Sequence, residues 1–575
     1  MKRVFEYIRP YRWAMILGLA LKFIAAMFNL IIPSLLEKII DEVAPKNSPG
    51  EVFMWGGIMA LCAVSDAVIN ITANRMATTN TSKVTLNIRH DLFAKIEGLS
   101  SAQTDKFTIP SLISRLTTDT YHVNDMLVRT QRLGVRAPVL LLGGIIIALT
   151  MDAVLTLVLI GMLPVIAIVV YIVTKKGIPL YVKCQKILDR LVLIVQENAV
   201  GVRVIKALSK TKHEQKRFLD VNENLAGTEF KASLIMGVTN PAATIVLNIG
   251  LTLVIVVGAF RINSALTEPG VIIAFLSYFT IILNAMLGIT RIFVVISRGM
   301  ASADRIAKVL DAPNEEIALL AEKETEAGDE NYHIEMEDVS FSYNGIENNI
   351  EHVSFKLKKG QTLGIIGATG SGKSTIINLL MRFYVQDSGV IRINGKDTRT
   401  MEPNEVRKRF GVAFQNDFLM ADTIRENVDF GRNLDDDAIK SAIVHAQGES
   451  ILLEKEDGIE HRLTLRGANI SGGQKQRLII ARALAANPEI LVLDDSSSAL
   501  DYRTDAKLRQ ELKKHYSDVT SVVIAQRASS IMGADLILML DDGRVIGSGT
   551  HERLYVTCPE YRDICDTQMG GVANA

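Results

Sequence analysis

Cysteine is scarce in this chain, and its scarcity limits the kinds of fold and site that the chain can form. The 575 residues include four cysteines, Cys62, Cys184, Cys558 and Cys565, which are scattered and lack the spacing of metal ligands. A disulfide framework is therefore not expected, and neither is a cysteine-based metal site.

The chain also lacks a net charge. The chain has 63 basic and 63 acidic residues and a formal net charge of zero, so nucleic acid is not expected as a partner. Charged residues make up 22% of the chain, and mean hydropathy is +0.23. That hydropathy is high for a soluble enzyme. The length exceeds what one hydrophobic core usually organises, so two or more domains are expected.

Long apolar runs are concentrated in the first half of the chain. Six of them reach the length of about 20 residues that a membrane-spanning helix needs: 13–36, 53–76, 133–150, 153–174, 242–262 and 271–296. The first run is long enough to span, so no cleavable signal peptide is expected. Met151 and Asp152 alone separate the third and fourth runs.

The connections between these runs are very unequal. Segments 77–132 and 175–241 are long, charged and helix-like, and they hold most of the Lys and Arg residues of this half. Positive charge marks the cytoplasmic side of a membrane. The sequence thus predicts a multi-pass protein of the cell membrane, embedded in the lipid bilayer, with both termini in the cytoplasm.

Polar residues interrupt the apolar runs. Asn70, Asn74, Asn248 and Asn284 are interpreted as residues that hold helices together. Lys22, Asp66 and Arg291 are more costly in lipid and are expected to face a cavity or another chain. Lys22 lies near the end of its run, so its amine could instead extend to the membrane surface.

The second half of the chain has a different pattern. Residues 313–331 form an acidic, turn-prone linker, and from 332 onward apolar strands alternate with helices. This pattern indicates an α/β domain whose sheet is covered by helices. The predicted division is 1–312 for the membrane domain, 313–331 for the linker and 332–575 for the α/β domain.

A glycine-rich stretch, GIIGATGSGKSTIINLL at 364–380, follows an apolar strand and opens a helix. It fits the phosphate-binding pattern G-x-x-x-x-G-K-[ST], in which backbone N–H groups and the helix N-terminus hold the phosphates of a nucleotide. Lys373 would reach the terminal phosphates and Ser374 would bind Mg²⁺. The predicted nucleotide-binding residues are Gly367, Ala368, Thr369, Gly370, Ser371, Gly372, Lys373, Ser374 and Thr375. In the later run ILVLDD, residues 490–495, Asp494 follows four apolar residues at the end of a predicted strand, a position that suits Mg²⁺ bound through water.

ISGGQKQRLIIARAL, residues 470–484, resembles the signature of ATP-binding-cassette (ABC) proteins, and it stands shortly before Asp494 as in that family. With six spans ahead of it, the whole chain resembles a half-transporter of the type IV exporter class. The resemblance implies a membrane α-helical domain of six transmembrane helices with long cytoplasmic extensions, fused to an α/β P-loop ATPase domain of ABC type. It also implies that two half-transporters pair, sandwich two ATP molecules, and alternate between inward-open and outward-open states.

The resemblance assigns roles to further residues. Tyr343 in FSYNG matches the aromatic residue that stacks on adenine, and Gln415 in GVAFQND matches the glutamine that contacts Mg²⁺. The residues that would act in trans on the partner's ATP are Ser471, Gly472, Gly473, Gln474 and, in the loop that starts at Ser498, Asp501. Segments 107–119 and 199–218 resemble the two cytoplasmic segments that dock on the ATPase domains, and residues 1–13 resemble an amphipathic elbow helix.

Two residues depart from the family pattern within one site. Asp495 stands where the family has the glutamate that is regarded as the base for the attacking water. Aspartate is one methylene shorter, so its carboxylate falls about 1.5 Å short on an unchanged backbone, and a misplacement of about 1 Å can lower a rate on the order of 10²-fold. Gln526 stands where the family has a histidine, and an amide cannot become cationic. A third departure is Leu465, in place of a glutamate that couples to the partner's cytoplasmic loop.

These departures favour an asymmetric heterodimer. This chain's own site, with the degenerate catalytic pair Asp495 and Gln526, would bind ATP but hydrolyse it slowly, while its SGGQ would complete a competent site on a second ABC half-transporter. The alternatives are a homodimeric exporter with a slow ATPase, and an ATP-gated channel or regulatory protein on the same frame. The six spans exclude a soluble cassette ATPase, and an importer is disfavoured because importers usually keep membrane and ATPase parts on separate chains.

The substrate class follows from the composition of the spans. They are rich in Ile, Leu, Val and Met and carry few charges, which favours an apolar or amphipathic cargo of the multidrug or lipid type.

Overall fold

A computed structural model describes residues 2–314, 329–415, 417–496 and 499–569 of the chain. The chain divides into two compact units: Met1–Ala94 with Pro110–Asp311, and Lys95–Ile109 with Ala312–Ala575. Most of the predicted linker, residues 315–328, lies outside the described residues, as do the side chain of Arg291 and residue Ser498.

Long helices build the first unit. Its helices are α1 (Lys2–Glu6), α2 (Arg12–Lys38), α3 (Pro49–Glu97), α5 (Ile109–Ser114), α6 (Thr120–Leu133), α7 (Arg136–Met151), α8 (Ala153–Ala207), α9 (Thr211–Gly237), α10 (Thr239–Asn263) and α11 (Pro269–Leu310). The short helix α4 (Ser101–Phe107) belongs to the second unit. Six helical stretches, of 42 to 55 residues, are apolar enough to cross a membrane. The six predicted spans and their long extensions are therefore confirmed, because about 20 residues suffice for the crossing itself.

Asp152 explains the sharp turn between the third and fourth spans. Its backbone is extended, and its carboxylate accepts hydrogen bonds from the backbone N–H groups of Val154 and Leu155 at 2.9 and 3.1 Å. It thus caps the N-terminus of α8, where the helix dipole favours a negative charge. Arg261 at the end of α10 donates to the same carboxylate at 2.7 Å, so one buried aspartate stops α7, starts α8 and binds α10.

Small residues let the membrane helices approach closely. The core of this unit includes Phe275, Tyr278 and Phe279 of α11, which pack against α2, α8 and α10. A Cβ atom on Gly250 would come within 2.2 Å of the Phe279 ring, so α10 and α11 touch where a side chain is missing. Packing of this kind is what stabilises helix pairs in lipid, where the hydrophobic effect between helices is absent.

Lys22 finds its partners within the membrane unit. Its side chain is buried, and its amine donates to the Oδ1 atoms of Asn70, at short distance, and Asn74, at 2.8 Å. Arg136 of α7 approaches the carboxylate of Asp66 at 3.4 Å. The expectation that Lys22 faces a cavity or another chain, or reaches the membrane surface, is therefore wrong, whereas the expectation that Asn70 and Asn74 join helices is confirmed.

Two sheets organise the second unit. An antiparallel sheet has the strand order β2–β1–β4–β5, and a mainly parallel sheet has the order β10–β9–β3–β8–β7–β6. The strands are β1 (Ile334–Phe341), β2 (Ile350–Leu357), β3 (Thr362–Gly367), β4 (Ser388–Ile393), β5 (Lys396–Asp397), β6 (Phe410–Ala413), β7 (Ile490–Asp494), β8 (Thr520–Ile524), β9 (Leu536–Asp541) and β10 (Arg544–Gly549). The parallel strands β3, β7 and β8 are apolar and largely buried, as expected for strands covered on both faces.

Helices cover the parallel sheet and carry the motifs found in the sequence. They are α12 (Lys373–Leu380), α13 (Pro403–Arg407), α14 (Ile424–Asp429), α15 (Asp436–His445), α16 (Glu449–Leu453), α17 (Gly472–Ala485), α18 (Tyr502–His515), α19 (His551–Thr557) and α20 (Pro559–Met569). The predicted α/β fold is confirmed. The phosphate-loop sequence lies between β3 and α12, and SGGQ lies at the start of α17.

The short helix α4 packs with the second unit although it precedes most of the membrane helices in sequence. Ser100 caps it, and Ser100 and Gln103 form reciprocal side-chain to backbone hydrogen bonds. The predicted docking segment 107–119 is thus displaced: the residues grouped with the ATPase unit are 95–109, and Pro110 onward belongs to the membrane unit. The 199–218 segment lies in the membrane unit, and its docking stays a prediction.

Candidate nucleotide-binding site

The register of three neighbouring strands brings the site residues together. Ile524 of β8 pairs with Ile365 of β3 on one side and with Asp494 of β7 on the other. The carboxyl ends of parallel strands meet at one edge of a sheet, which is where such folds bind ligands. The phosphate loop after β3, the two aspartates at the end of β7 and Gln526 after β8 therefore share one edge.

Glycines allow the phosphate loop to curl. Gly370 and Gly372 have φ angles of +88° and +94°, a conformation that glycine adopts without the strain of a side chain. A Cβ on Gly372 would also lie 2.7 Å from the backbone oxygen of Asn349. The loop thus requires glycine at this position, both for its backbone angle and for space.

Lys373 lies inside the curl of the loop. Its amine donates to the backbone oxygens of Gly367 and Ala368 at 2.9 and 2.6 Å, and lies 3.5 Å from Ser371 Oγ. Burial lowers the pKa of Lys373, and the charges of Asp494 and Asp495 oppose that shift. A partly desolvated cation at the N-terminus of α12 is suited to binding an anionic phosphate.

Ser374 and Asp494 bring hard oxygen atoms together next to the loop. Ser374 Oγ donates to Asp494 Oδ2 at 3.1 Å. Burial, and then the charge of Asp495, raise the pKa of Asp494. A buried carboxylate beside a hydroxyl fits Mg²⁺, which prefers oxygen ligands and would relieve the cost of burying the charge. Ser374 and Asp494 therefore suit the predicted metal role.

Gln415 and Gln526 both contact Asp495. Gln526 Nε2 donates to Asp495 Oδ2 at 2.7 Å, and Gln415 Nε2 lies 3.2 Å from the same oxygen. Burial raises the pKa of Asp495, and these two hydrogen bonds partly offset the shift. The hydrogen bond that the structure gives Gln415 is thus with Asp495, so its predicted role as a Mg²⁺ ligand stays a prediction.

Tyr343 lies at the rim of the site. Its ring is half-exposed, and its hydroxyl accepts from Asn378 Nδ2 at 2.9 Å and lies 3.5 Å from Thr375 Oγ1. Its ring also meets that of Tyr384 edge-on, at 4.9 Å between centroids. An exposed aromatic face beside the phosphate loop is suited to stacking on a base, as predicted for Tyr343.

The signature residues form the start of α17. Ser471 Oγ accepts from the backbone N–H of Gln474 at 3.3 Å, and Gln474 Oε1 accepts from the backbone N–H of Ser471 at 3.0 Å. This capping box explains why serine and glutamine stand three residues apart. Asp501 caps α18 through the backbone N–H of Thr504 at 2.9 Å. Both helix starts belong to this chain's own fold, and their action in trans stays a prediction.

The contact between Tyr384 and Asp105 was not expected from the sequence. The Tyr384 hydroxyl donates to the carboxylate of Asp105 in α4. Burial and this hydrogen bond raise the pKa of Tyr384. Two sequence signals mark the two sides of this contact. One is the aromatic pair Phe383-Tyr384, which follows α12, and the other is the S-x-x-Q pattern at the start of α4.

Comparisons with known proteins agree with this geometry. Residues 15–286 match the family model described as ABC transporter transmembrane region, and residues 350–498 match the model described as ABC transporter. The chain is 34% identical, over 572 residues and 99% of both chains, to the ABC transporter ATP-binding protein YfiB of Bacillus subtilis (strain 168). It is 30% identical, over 580 residues and 99% of both chains, to an ABC transporter ATP-binding protein of Mycobacterium tuberculosis (strain CDC 1551 / Oshkosh).

A solved structure shares the fold over the full length. A bacterial Atm1-family ABC exporter with ATP bound superimposes with a TM-score of 0.82, covering 98% of this chain and 99% of the other. The two sequences are 22% identical. This likeness establishes that the arrangement of helices and sheets is that of an exporter of this architecture.

Proposed function

The chain belongs to the ABC transporter family, whose members couple ATP hydrolysis to transport across a membrane, and from this premise we propose that it is one half of a heterodimeric exporter. The complex exports an apolar or amphipathic substrate across the cell membrane by alternating access. This chain's own ATP site binds ATP and hydrolyses it slowly. Its SGGQ completes the competent site of a second, different half-transporter.

The hydrogen bonds at Asp495 carry the proposal. Asp495 Oδ2 accepts from the amides of Gln526 and Gln415 at 2.7 and 3.2 Å. A base that activates water must present a free lone pair to that water within hydrogen-bond reach. Two amide donors on one oxygen compete with that contact, and neither amide can supply the positive charge that an imidazolium would.

By contrast, the residues that ATP binding is expected to need are all present in this chain. Lys373 and the backbone N–H groups of the loop would hold the phosphates, and Tyr343 would stack on the base. Ser374 and Asp494 would hold Mg²⁺, which neutralises phosphate charge when bound. A site with these parts, but with a short acid and no imidazole, favours long ATP occupancy.

The substrate class rests on the membrane unit. The residues that line a groove along α8 and α11 include Val170, Tyr171, Lys175, Ile178 and Met286. Apolar walls with one cation suit a molecule that has a large apolar part and a small polar or anionic group.

Restoring the family residues tests the proposal. The purified chain, reconstituted alone in nanodiscs, is expected to bind ATP without brisk hydrolysis. In the complex with a partner whose catalytic glutamate is changed to glutamine, the double variant Asp495→Glu/Gln526→His is expected to hydrolyse ATP at least about tenfold faster than the same complex with this chain unchanged. The reason is that the acid regains its reach and the histidine supplies a titratable donor. Each single change is expected to give much less than the pair, since both residues act on one site.

The matched control is Asp495→Asn in the complex with its partner chain. Turnover is expected to fall less than about threefold, whereas the equivalent change at the partner's glutamate removes most activity. Brisk ATP-driven transport by this chain alone would contradict the heterodimer and support a homodimeric exporter. Ion flux without matching ATP turnover would instead support an ATP-gated channel.

A further inference from the structure

Two histidines and a glutamate gather where α15 and α18 end. His445 is the last residue of α15, His515 is the last residue of α18, and Glu511 lies one turn earlier on α18. Each side chain offers one ligand atom, and the three atoms all lie within 4.8 Å of one another. The nucleotide-binding site uses none of these residues.

The local geometry suits metal ligation. Glu511 and His515 are four residues apart and share a helix face, with Glu511 Oε2 3.4 Å from His515 Nε2. The His445 ring stacks on the His515 ring, with centroids 4.5 Å apart and planes at 18°, so a shared ion requires the exposed His515 ring to turn until its nitrogen converges with that of His445. His445 Nδ1 hydrogen-bonds the Tyr516 hydroxyl at 3.1 Å. A bond of this kind orients the ring of a metal-binding histidine and leaves its other nitrogen as the ligand.

The electrostatics of the cluster favour a cation. The C-termini of two helices converge there, and each contributes a partial negative charge. Glu511 adds a full negative charge, while Lys513 and Lys514 in the same turn of α18 oppose it. The two converging helix ends and Glu511 together therefore favour a cation at this point.

We propose that His445, Glu511 and His515 form a binding site for one divalent transition-metal ion of the Zn²⁺ class. Two imidazoles and a carboxylate are the donor set of three-ligand Zn²⁺ sites, with water in the fourth position. Nitrogen donors disfavour Mg²⁺ and Ca²⁺, which prefer oxygen. Metal–nitrogen distances of about 2.0–2.1 Å require the ligand atoms to move closer, and the partly exposed side chains of Glu511 and His515 have the freedom to do so.

A bound ion would join two helices that lie far apart in sequence. α15 and α18 already share a hydrophobic core through Ile439, Ile443 and Leu508. The ion would add a coordinate link at one end of that contact. Asp501 caps the N-terminus of α18, so the ion would hold the helix that this residue caps. The site does not depend on the proposed pairing with a second half-transporter.

Metal titration of the full chain tests the proposal. The protein is purified without a histidine tag, stripped with a chelator and kept free of nucleotide, then titrated with Co²⁺ followed by Zn²⁺. One equivalent of Co²⁺ per chain is expected, with the visible absorption of an imidazole-bound ion and full displacement by Zn²⁺. His515→Ala is expected to abolish this absorption, and Glu511→Gln to weaken binding at least about tenfold.

His352→Ala is the matched control. His352 Nδ1 contacts Asp338 Oδ1 at 2.6 Å on the exposed surface, and its loss is expected to leave the titration unchanged. The ATP affinity of His515→Ala, expected to equal that of wild type, checks its folding. The proposal is overturned if wild type takes up no Co²⁺ in the micromolar range, if His515→Ala binds like wild type, or if Mg-ATP displaces the ion.

Discussion

At the scale of single residues, the backbone of Asp495 matters as much as its side chain. Its φ angle is +48°, in the left-handed region that aspartate and asparagine tolerate better than most residues. The shorter acid therefore suits both this backbone and the clamp formed by Gln415 and Gln526. A glutamate placed here would have to bear the strained backbone and displace an amide. This is why we expect Asp495→Glu alone to restore little hydrolysis.

The buried acids of the site give a prediction about stability and pH. Burial raises the pKa values of Asp494 and Asp495 above their ordinary value of 3.8, so the folded state binds protons more tightly than the unfolded chain. The free energy of unfolding contributed by these groups falls as pH rises from 3.8 through the raised pKa values, and is constant above them.

Asp494→Asn is therefore expected to raise the unfolding temperature of nucleotide-free, Mg²⁺-free protein at neutral pH by a few degrees. A change of about 1 kcal/mol shifts the melting temperature of a domain of about 200 residues by that amount. If Asp494 holds Mg²⁺ as proposed, the same variant is expected to lose Mg²⁺-dependent ATP binding. Asp541→Asn, at the exposed end of β9, is expected to change neither property. A lower melting temperature for Asp494→Asn would contradict the prediction, and scanning calorimetry at several pH values measures it.

The site shows what the sequence could predict at this scale. The apolar runs before Asp494 and Gln526 indicated two buried strands, and parallel pairing then requires both residues to lie at one edge. The hydrogen bonds between Gln415 and Asp495 and between Lys22 and Asn70 could not be predicted. Each joins side chains from distant parts of the chain, and hydropathy shows that a buried polar group needs a partner without showing which one.

At the scale of elements, the start of α17 combines a local and a functional role. The Ser471–Gln474 box satisfies this chain's own helix, and the same N-terminus would face the partner's ATP under the proposed function. Ser471→Ala is expected to destabilise the ATPase unit by about 1 kcal/mol and to lower ATP turnover of the assembled transporter at least about tenfold. ATP binding to this chain's own loop is expected to persist.

Asp435→Ala separates these two effects. Asp435 caps α15 through the backbone N–H of Ala438 at 2.7 Å, so its loss has a similar cost in stability. Turnover of this variant is expected to stay within about twofold of wild type. Equal losses of turnover in both variants would mean that Ser471 acts through helix stability alone.

The docking of α4 gives a second prediction for an element. The Tyr384 hydroxyl donates to Asp105, and a hydrogen bond to a charged group contributes about 1.5 kcal/mol. In Tyr384→Phe, hydrogen exchange of the α4 amides is expected to become about tenfold faster, while ATP affinity stays near that of wild type. Mass spectrometry of peptides covering Ser101–Phe107 measures the exchange.

Tyr555→Phe is the matched control for α4. The Tyr555 hydroxyl donates to Asp566 Oδ1 at 2.6 Å in the helices α19 and α20, so the same chemical change is made elsewhere. Exchange in α4 is expected to be unaffected by it. Unchanged exchange in Tyr384→Phe would show that other contacts hold α4 in place.

The helices and strands were predicted more accurately than their assignment to the membrane unit or the ATPase unit. The six spans and the strands β1, β2, β3, β7 and β8 followed from periodicity, because burial on one or both faces controls which residues a helix or strand accepts. The docking helix was placed several residues too late. Its start depends on the capping box of Ser100, which is a local signal. Its grouping with the ATPase unit depends on contacts with distant residues, among them Tyr384 and Pro313, which only the folded chain reveals.

At the scale of the whole molecule, the proposed function assigns this chain a site that binds ATP well and hydrolyses it slowly. In that proposal the buried aspartates, the phosphate loop and Tyr343 bind ATP, and the start of α17 completes a site on the partner chain. The proposed partner would then carry the residues that hydrolyse ATP. The asymmetry should therefore appear in where nucleotide is trapped.

Nucleotide trapping in the assembled complex distinguishes the two sites. Under non-hydrolytic conditions, a photoreactive ATP analogue is expected to label both chains, and this one through the region of Tyr343. After turnover with vanadate, trapped nucleotide requires hydrolysis and is expected almost entirely on the partner's loop, at one molecule per pair of chains. Lys373→Ala is expected to remove the label from this chain in the first experiment while leaving trapping on the partner in place. Equal vanadate trapping on both chains would contradict the proposed asymmetry, because both sites would then hydrolyse ATP at comparable rates.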